Sequence, residues 1–249
     1  MQVFCAFIEN STVFHIPFID ELGLTEILSN AMDILTIATK VAAYFIPFLF
    51  ALCFHEFAHG WVAKLRGDRT AEMMGRLTMN PLAHMDMVGT FILPMMAIIF
   101  NLPFFFGWAK PVPVNARNLR NVRTDMFWIA LAGPMSNVLL AMLGAIVMRL
   151  TFMAPGFSLG NSLRDMMDLF IVVNLSLAVF NMIPIHPLDG GKVLARFLPA
   201  SWNYKLEQYE AILSNVLLFL MLLGAFQFLQ IPVRWGYVLL KTWALGGLS

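Results

Sequence analysis

The sequence predicts an all-α integral membrane protein, a polytopic helix bundle, and three observations carry that expectation. Of 249 residues, 59% are hydrophobic and only 12% are charged, whereas a soluble domain carries about 25% charge. The apolar residues also gather into runs of spanning length. A hydrocarbon core takes roughly 20 residues of helix, and five charge-poor stretches reach that length: 41–63, 87–109, 126–148, 169–188 and 211–233. Net charge is +1, so no strong field draws nucleic acid, and the partners expected are the lipid bilayer and proteins within it. Oligomeric state is not legible.

In chain order, residues 1–40 carry Glu9, Asp20, Glu21 and Glu26 and no basic leader, so they are expected to form an interfacial lead-in rather than a cleaved signal. The first stretch is interrupted only by Glu56, His55 and His59. The second holds Gly89, Pro94, Pro103 and Gly107, which loosen or break a helix, so 87–109 is left open between a re-entrant segment, a hairpin and a full span. Between 71 and 80 the residues are partly strand-like, consistent with a short membrane-associated β element or with a plain loop. The fourth stretch runs into Pro184, Pro187 and Gly190-Gly191, which unwind a helix and let the backbone turn. Residues 234–249 are too short to span and form a C-terminal tail. One membrane-embedded domain, 41–233, is expected. Cys5 and Cys53 suggest no disulfide, since Cys53 lies in an apolar run where a thiol acts as a small hydrophobe.

Residues His55-Glu56-Phe57-Ala58-His59 form an HExxH motif. On a helix, the i, i+4 spacing sets both imidazoles on one face with the glutamate beside them, the geometry of a hydrolytic zinc site. An ionisable glutamate within a span is costly and by default functional. The competing reading ends the span near Phe54 and leaves both histidines interfacial, satisfied by headgroups or backbone. A catalytic zinc takes three protein ligands and leaves a fourth position open, so the metal reading needs another ligand at the same depth. Asp189, at the broken end of the fourth stretch, is the best candidate.

Together these residues resemble the site-2 proteases: HEFAHG on one span, Ala132-Gly133-Pro134-Met135-Ser136-Asn137 on a later one, and NxxPxxxLDGG from Asn181 to Gly191 on the next. Gly67-Asp68, the segment from Gly75 to Asp86 and that from Gly107 to Asn115 look like the compact prokaryotic branch without PDZ or CBS domain. The resemblance implies an intramembrane zinc metalloprotease with a three-helix catalytic core. It implies Zn2+ held by His55, His59 and Asp189, Glu56 as general base, and Asn137 helping to hold the substrate strand or its oxyanion. Asn181 is a weaker supporting candidate. It implies cleavage within or near transmembrane segments of membrane-tethered proteins, as in regulated intramembrane proteolysis, in a multi-pass protein of the prokaryotic inner membrane with its site toward the cytosol. The alternative is a scaffold that binds transmembrane partners without cutting them, and Glu56 argues against it.

His186 adds an imidazole near the third motif and is read as a lining residue or an extra participant. His15 and His84 lack ligand spacing to the HExxH. The eighteen methionines suit packing of irregular apolar gaps, and Phe104, Phe105, Phe106 and Trp108 suit a membrane interface.

The motif demands that the first and fourth stretches run parallel, so that both half-sites reach one side. Five simple crossings make them antiparallel and divide the sixteen Lys and Arg evenly. If 87–109 returns to the side it left, eleven fall on one side (Lys64, Arg66, Arg69, Arg76, Lys110, Arg117, Arg120, Arg123, Lys192, Arg196 and Lys205) and five on the other. Cytoplasmic loops collect such residues, so charge and metal geometry favour the same topology.

Overall fold

The computed structural model describes residues 24–100, 107–153, 160–222 and 225–246, and all regular structure there is helical. The lead-in up to residue 23 and the Phe104–Phe106 cluster lie outside the described residues. The chain divides into two units, Met1–Lys40 and Val41–Ser249, and the candidate site lies wholly in the second. Two helices are long and apolar enough to cross a membrane, Val41–Leu65 and Val122–Met153.

The first belongs to helix α1 (Leu24–Leu65), which stops at Gly67, with φ +111°, a conformation costly for any residue with a Cβ. Short helices α2 (Thr70–Met73) and α3 (Pro81–His84), a π-helix (Met87–Ile92) and α4 (Leu93–Ile99) follow. Residues 107–115 are extended. Helix α5 (Val122–Met153) begins where Asn121 accepts from the Thr124 N–H and Asp125 accepts from the Asn121 N–H, a reciprocal cap. Then come α6 (Gly160–Asn181), α7 (Asp189–Ala195), α8 (Ala200–Gln208), α9 (Glu210–Leu222) and α10 (Gln230–Ala244).

Hydrogen bonds fix the helix directions. His55 meets Asn137 while His59 meets Ile129, so α5 descends as α1 rises. Asn137 meets Asn174 while Arg164 meets Thr151, so α6 is antiparallel to α5. Helices α1 and α6 are therefore parallel, as the motif demands, and everything between Leu65 and Val122 starts and finishes at one end of the bundle. Segment 87–109 is accordingly not a single full span and returns to the end it left. Its two ends are stitched together, Trp108 N–H to the Gly89 carbonyl at 3.2 Å, Lys110 N–H to the His84 carbonyl at 2.8 Å, and Thr90 Oγ1 to the Trp108 carbonyl at 2.6 Å. Gly89 is obligatory here, because a Cβ would sit 2.3 Å from the Trp108 ring.

Close packing of α5 on α6 rests on small residues. Ala141 and Ala145 pack with Met148, Ile171, Leu175 and Ala244, and at Gly144 a Cβ would lie 3.0 Å from Ile171. Small residues let helix backbones approach where burial from water supplies no drive.

Two stretches differ from their sequence reading. No strand forms between 71 and 80 among the described residues: Ala71 is buried in a single helical turn, and Gly75 at φ +66° turns the chain away. Stretch 211–233 is not one span; α9 ends at Leu222, and a 3-10 turn at Gln227–Leu229 precedes α10, whose first turn accommodates Pro232. Most of the expected tail, 234–244, is part of α10, which meets α6 through Lys241, whose Nζ donates to Asp168 at 2.9 Å.

Candidate metal centre

Near the end of α1, His55 and His59 stand on one face, and the broken end of α6 brings Asp189 to them. All three side chains are buried. His55 Nε2 lies 3.0 Å from His59 Nε2, and Asp189 Oδ2 lies 3.1 Å and 3.2 Å from the two nitrogens. With zinc bonds of about 2.0–2.1 Å, a tetrahedral site spaces its donors about 3.3 Å apart. The other ring nitrogens settle the tautomers. His59 Nδ1 donates to the Ile129 carbonyl at 2.6 Å, and His55 Nδ1 to Asn137 Oδ1 at 2.7 Å. With those protons committed, Nε2 of each ring is an acceptor whenever that ring is neutral, and both Nε2 atoms face a carboxylate. Three acceptors so close repel one another unless a cation lies between them, so the donor set fits a metal ion.

Two devices hold the set together. At Gly133 on α5, a Cβ would lie 2.4 Å from His59 Nε2 and 2.6 Å from His55 Cε1, so only glycine lets the helix pass behind both rings. At α7, a Cβ on Gly190 would lie 2.4 Å from the carbonyl oxygens of Met182 and Ile183, and one on Gly191 would lie 2.7 Å from His186 N. The glycine pair lets the first turn of α7 fold back on the loop after α6, which sets Asp189 at the helix start.

Asn137 is fully buried, and its amide is fully engaged: Nδ2 donates to the Ala51 carbonyl at 3.1 Å and to Asn174 Oδ1 at 2.9 Å. Both hydrogens of that amide are engaged within the fold. Asn174, buried and donating to the Phe170 carbonyl, was not singled out by the sequence, where an asparagine within an apolar run was the available signal. Asn181 donates to the Leu177 carbonyl at 3.0 Å. His186 is buried with Nε2 unpartnered and is not in the three-residue ligand set.

Glu56 reaches toward the extended segment, where its Oε2 accepts from the Val112 N–H at 2.7 Å. Pro111 and Pro113 flank Val112 and carry no N–H, so Val112 presents the donor available at that point. The segment is itself braced. Arg76 donates to the Lys110 carbonyl at 2.8 Å, and the Asn115 N–H donates to Asp68 Oδ2 at 2.7 Å. Burial pushes the Asp68 carboxyl up, but hydrogen bonds from Thr70, Asn118 and Asn115 outweigh it and hold the pKa below the ordinary aspartate value.

Comparison with known proteins bears on this site. Residues 153–224, which include Asp189, match the model of peptidase family M50. YwhC of Bacillus subtilis, named as a zinc metalloprotease, is 35% identical over 188 residues, covering 73% of this chain and 81% of that protein. The chain belongs to the site-2 protease family, M50. This M50 peptidase is also 32% identical over 142 residues to Rip2 of Mycolicibacterium smegmatis (57% of this chain, 52% of Rip2), likewise named as a zinc metalloprotease. It is 45% identical over 75 residues to MJ0611 of Methanocaldococcus jannaschii, with 30% and 35% covered. No solved structure matches it. The family is one of zinc metalloendopeptidases, and the buried His55, His59 and Asp189 group is suited to its cofactor.

Proposed function

We propose that this M50 peptidase hydrolyses peptide bonds within or near transmembrane segments of membrane-tethered proteins, with zinc held by His55, His59 and Asp189. The single observation carrying the assignment is the set of three buried acceptor atoms 3.0–3.2 Å apart whose remaining imidazole protons are already committed. Zinc at that position supplies Lewis acidity. Glu56 acts as general base, taking a proton from the attacking water and returning it to the departing amine nitrogen. The Val112 N–H anchors one carboxylate oxygen and leaves the other for the water. Asn137 acts as a positioning residue, holding the His55 ring through Nδ1.

The bilayer reading draws on the two spanning-length helices, with α6 as a third crossing. The end carrying eleven of sixteen basic residues faces the cytosol. His55 then lies about 14 Å along α1 from Lys64, below the cytosolic surface. The loop after α6, broken by Pro184 and Pro187, lines the path for water, since irregular backbone at membrane depth is tolerated beside a polar cavity. A helical substrate hides its amides in hydrogen bonds, so cleavage requires local unwinding, and substrates with helix-breaking residues are expected to be cut fastest.

The test is proteolysis of labelled single-span proteins in liposomes, with cut sites mapped by mass spectrometry beside Glu56→Gln. A cut within the apolar span that vanishes in the variant supports the reading. A preparation with neither zinc nor cleavage would overturn the ligand assignment. Zinc retained at one per chain with no cleavage of any substrate would favour a scaffold.

A further inference from the structure

Away from the metal, the end of α1 and the start of α5 enclose an open cavity of about 490 Å³, within the usual size range of small-molecule sites. Val62 and Leu65 form one wall, and Leu131 and Met135 the other. Arg66, Arg120, Asp125 and Trp128 complete the lining. The two arginines are not used as others nearby are. Arg123 donates to the Arg196 and Leu198 carbonyls, and Arg196 to Thr124 Oγ1, which ties α5 to the chain after α7. Arg120 is exposed and makes no ion pair among the described residues. Arg66 stands 3.5 Å from Asp125 and over the Trp128 ring at 5.7 Å, while Asp125 also accepts the Asn121 N–H. Two guanidiniums against one carboxylate leave the cavity with a charge of +1.

The apolar side continues outward. Leu65 and Leu139 are 62% and 60% exposed, and Met135 is 46% exposed, so an open hydrocarbon surface leads from the arginines along α5. Trp128, 44% exposed, sits at the charged end, as indoles do at headgroup depth. A site with cations at the interface and an apolar wall running inward from them matches one class of molecule. We propose that this cavity binds an anionic phospholipid of the bilayer, its phosphodiester between Arg66 and Arg120 and its acyl chain along Leu65, Met135 and Leu139. Basic pockets between membrane helices recognise such headgroups. An inorganic anion would leave the apolar wall bare, and a purely apolar peptide segment would bring no charge for the arginines. The seat lies behind the metal centre, since Ile129, which accepts from His59, is on the same turn of α5 as Trp128.

The inference rests on the bilayer reading above, and one experiment separates their failures. The intact protein is reconstituted in nanodiscs of equimolar phosphatidylglycerol and phosphatidylcholine, then released stepwise into detergent for native mass spectrometry. Retention of one phosphatidylglycerol per chain in preference to phosphatidylcholine is expected. Each arginine near a membrane surface contributes about 1 kcal/mol, so Arg120→Gln weakens retention about fivefold and Arg66→Gln with Arg120→Gln about 25-fold. Arg120 makes no hydrogen bond or ion pair among the described residues, so Arg120→Gln alone removes no polar contact of the fold. Arg117→Gln, exposed in the connection before α5 but outside the cavity lining, leaves retention unchanged; an equal loss there would mean diffuse surface attraction and overturn the site. Equal retention of both lipids by protein that co-floats with liposomes would overturn the inference alone, whereas failure to co-float would sink the bilayer reading with it. Displacement by glycerol 3-phosphate at matched concentration would make the site one for free anions and refute the lipid.

Discussion

Substituting alanine for Gly133 adds one methyl group to α5 and supplies no polar atom, yet it is expected to weaken metal binding at least about 100-fold. The added Cβ would stand 2.4 Å from His59 Nε2, against the 3.4 Å or more of ordinary contact, so that atom must recede by about 1 Å, some five times the tolerance of roughly 0.2 Å on a metal–ligand distance. Neither ring has freedom to yield, because His59 is pinned to the Ile129 carbonyl and His55 to Asn137. Either the imidazoles leave their acceptors or α5 is pushed off α1, an overpacking cost of about 1–3 kcal/mol. The assay is zinc per chain by elemental analysis of purified protein, with a chelator titration for affinity. We expect affinity to fall at least 100-fold, the upper end for losing a residue that merely supports a ligand. Gly144→Ala, on the same helix, meets Ile171 and Phe170 at 3.0–3.1 Å and no ligand, and should keep its zinc. Stoichiometric zinc in Gly133→Ala, with a chelator midpoint within about twofold of wild type, would refute the reasoning.

Asn137→Leu leaves the His55 Nδ1–H, the Ala51 carbonyl and Asn174 Oδ1 without their partner; zinc affinity should fall about 10–100-fold, measured by the same titration, and an unchanged affinity would remove Asn137 from any role at the metal. Val112→Pro deletes the N–H that Glu56 accepts, a hydrogen bond to a charged group of about 1.5–3 kcal/mol, so turnover should fall about 10–100-fold with zinc content unchanged. Asp68 binds its proton less readily when folded than unfolded, so its hydrogen bonds contribute stability that is present above the ordinary aspartate value of about 3.9 and lost as pH falls through the lower folded value. Thermal melts across acid pH should show that loss in wild type and a flatter profile in Asp68→Asn.

Composition and spacing were sufficient for the helical class and for the shared face of His55 and His59, because each is a local property, whereas Asp189, far along the chain, was legible only as the third ligand such a pair demands and through the family resemblance. Apolar run length reports a helix of spanning size, and an i, i+4 pair of imidazoles shares a face whatever surrounds it. The parallel course of α1 and α6 was also legible, since basic residues count sides without reference to packing. What supports the site depends on which surfaces meet. Gly133 is a common residue in an apolar helix until two imidazoles lie behind it; Asn137 and Asn174, 37 residues apart, become one buried relay only when α5 and α6 pack. The segment at 107–115 looks like a proline-broken loop, and only the return of 87–109 to its starting edge brings the Val112 N–H to Glu56. Likewise, of the strand and the plain loop left open for 71–80, neither holds throughout, because Ala71 is buried in a helical turn at Thr70–Met73. Sequence alone determined the chemistry available and the periodicities; tertiary structure decided which backbone groups face that chemistry, because such contacts join residues whose separation along the chain carries no signal of their distance in space.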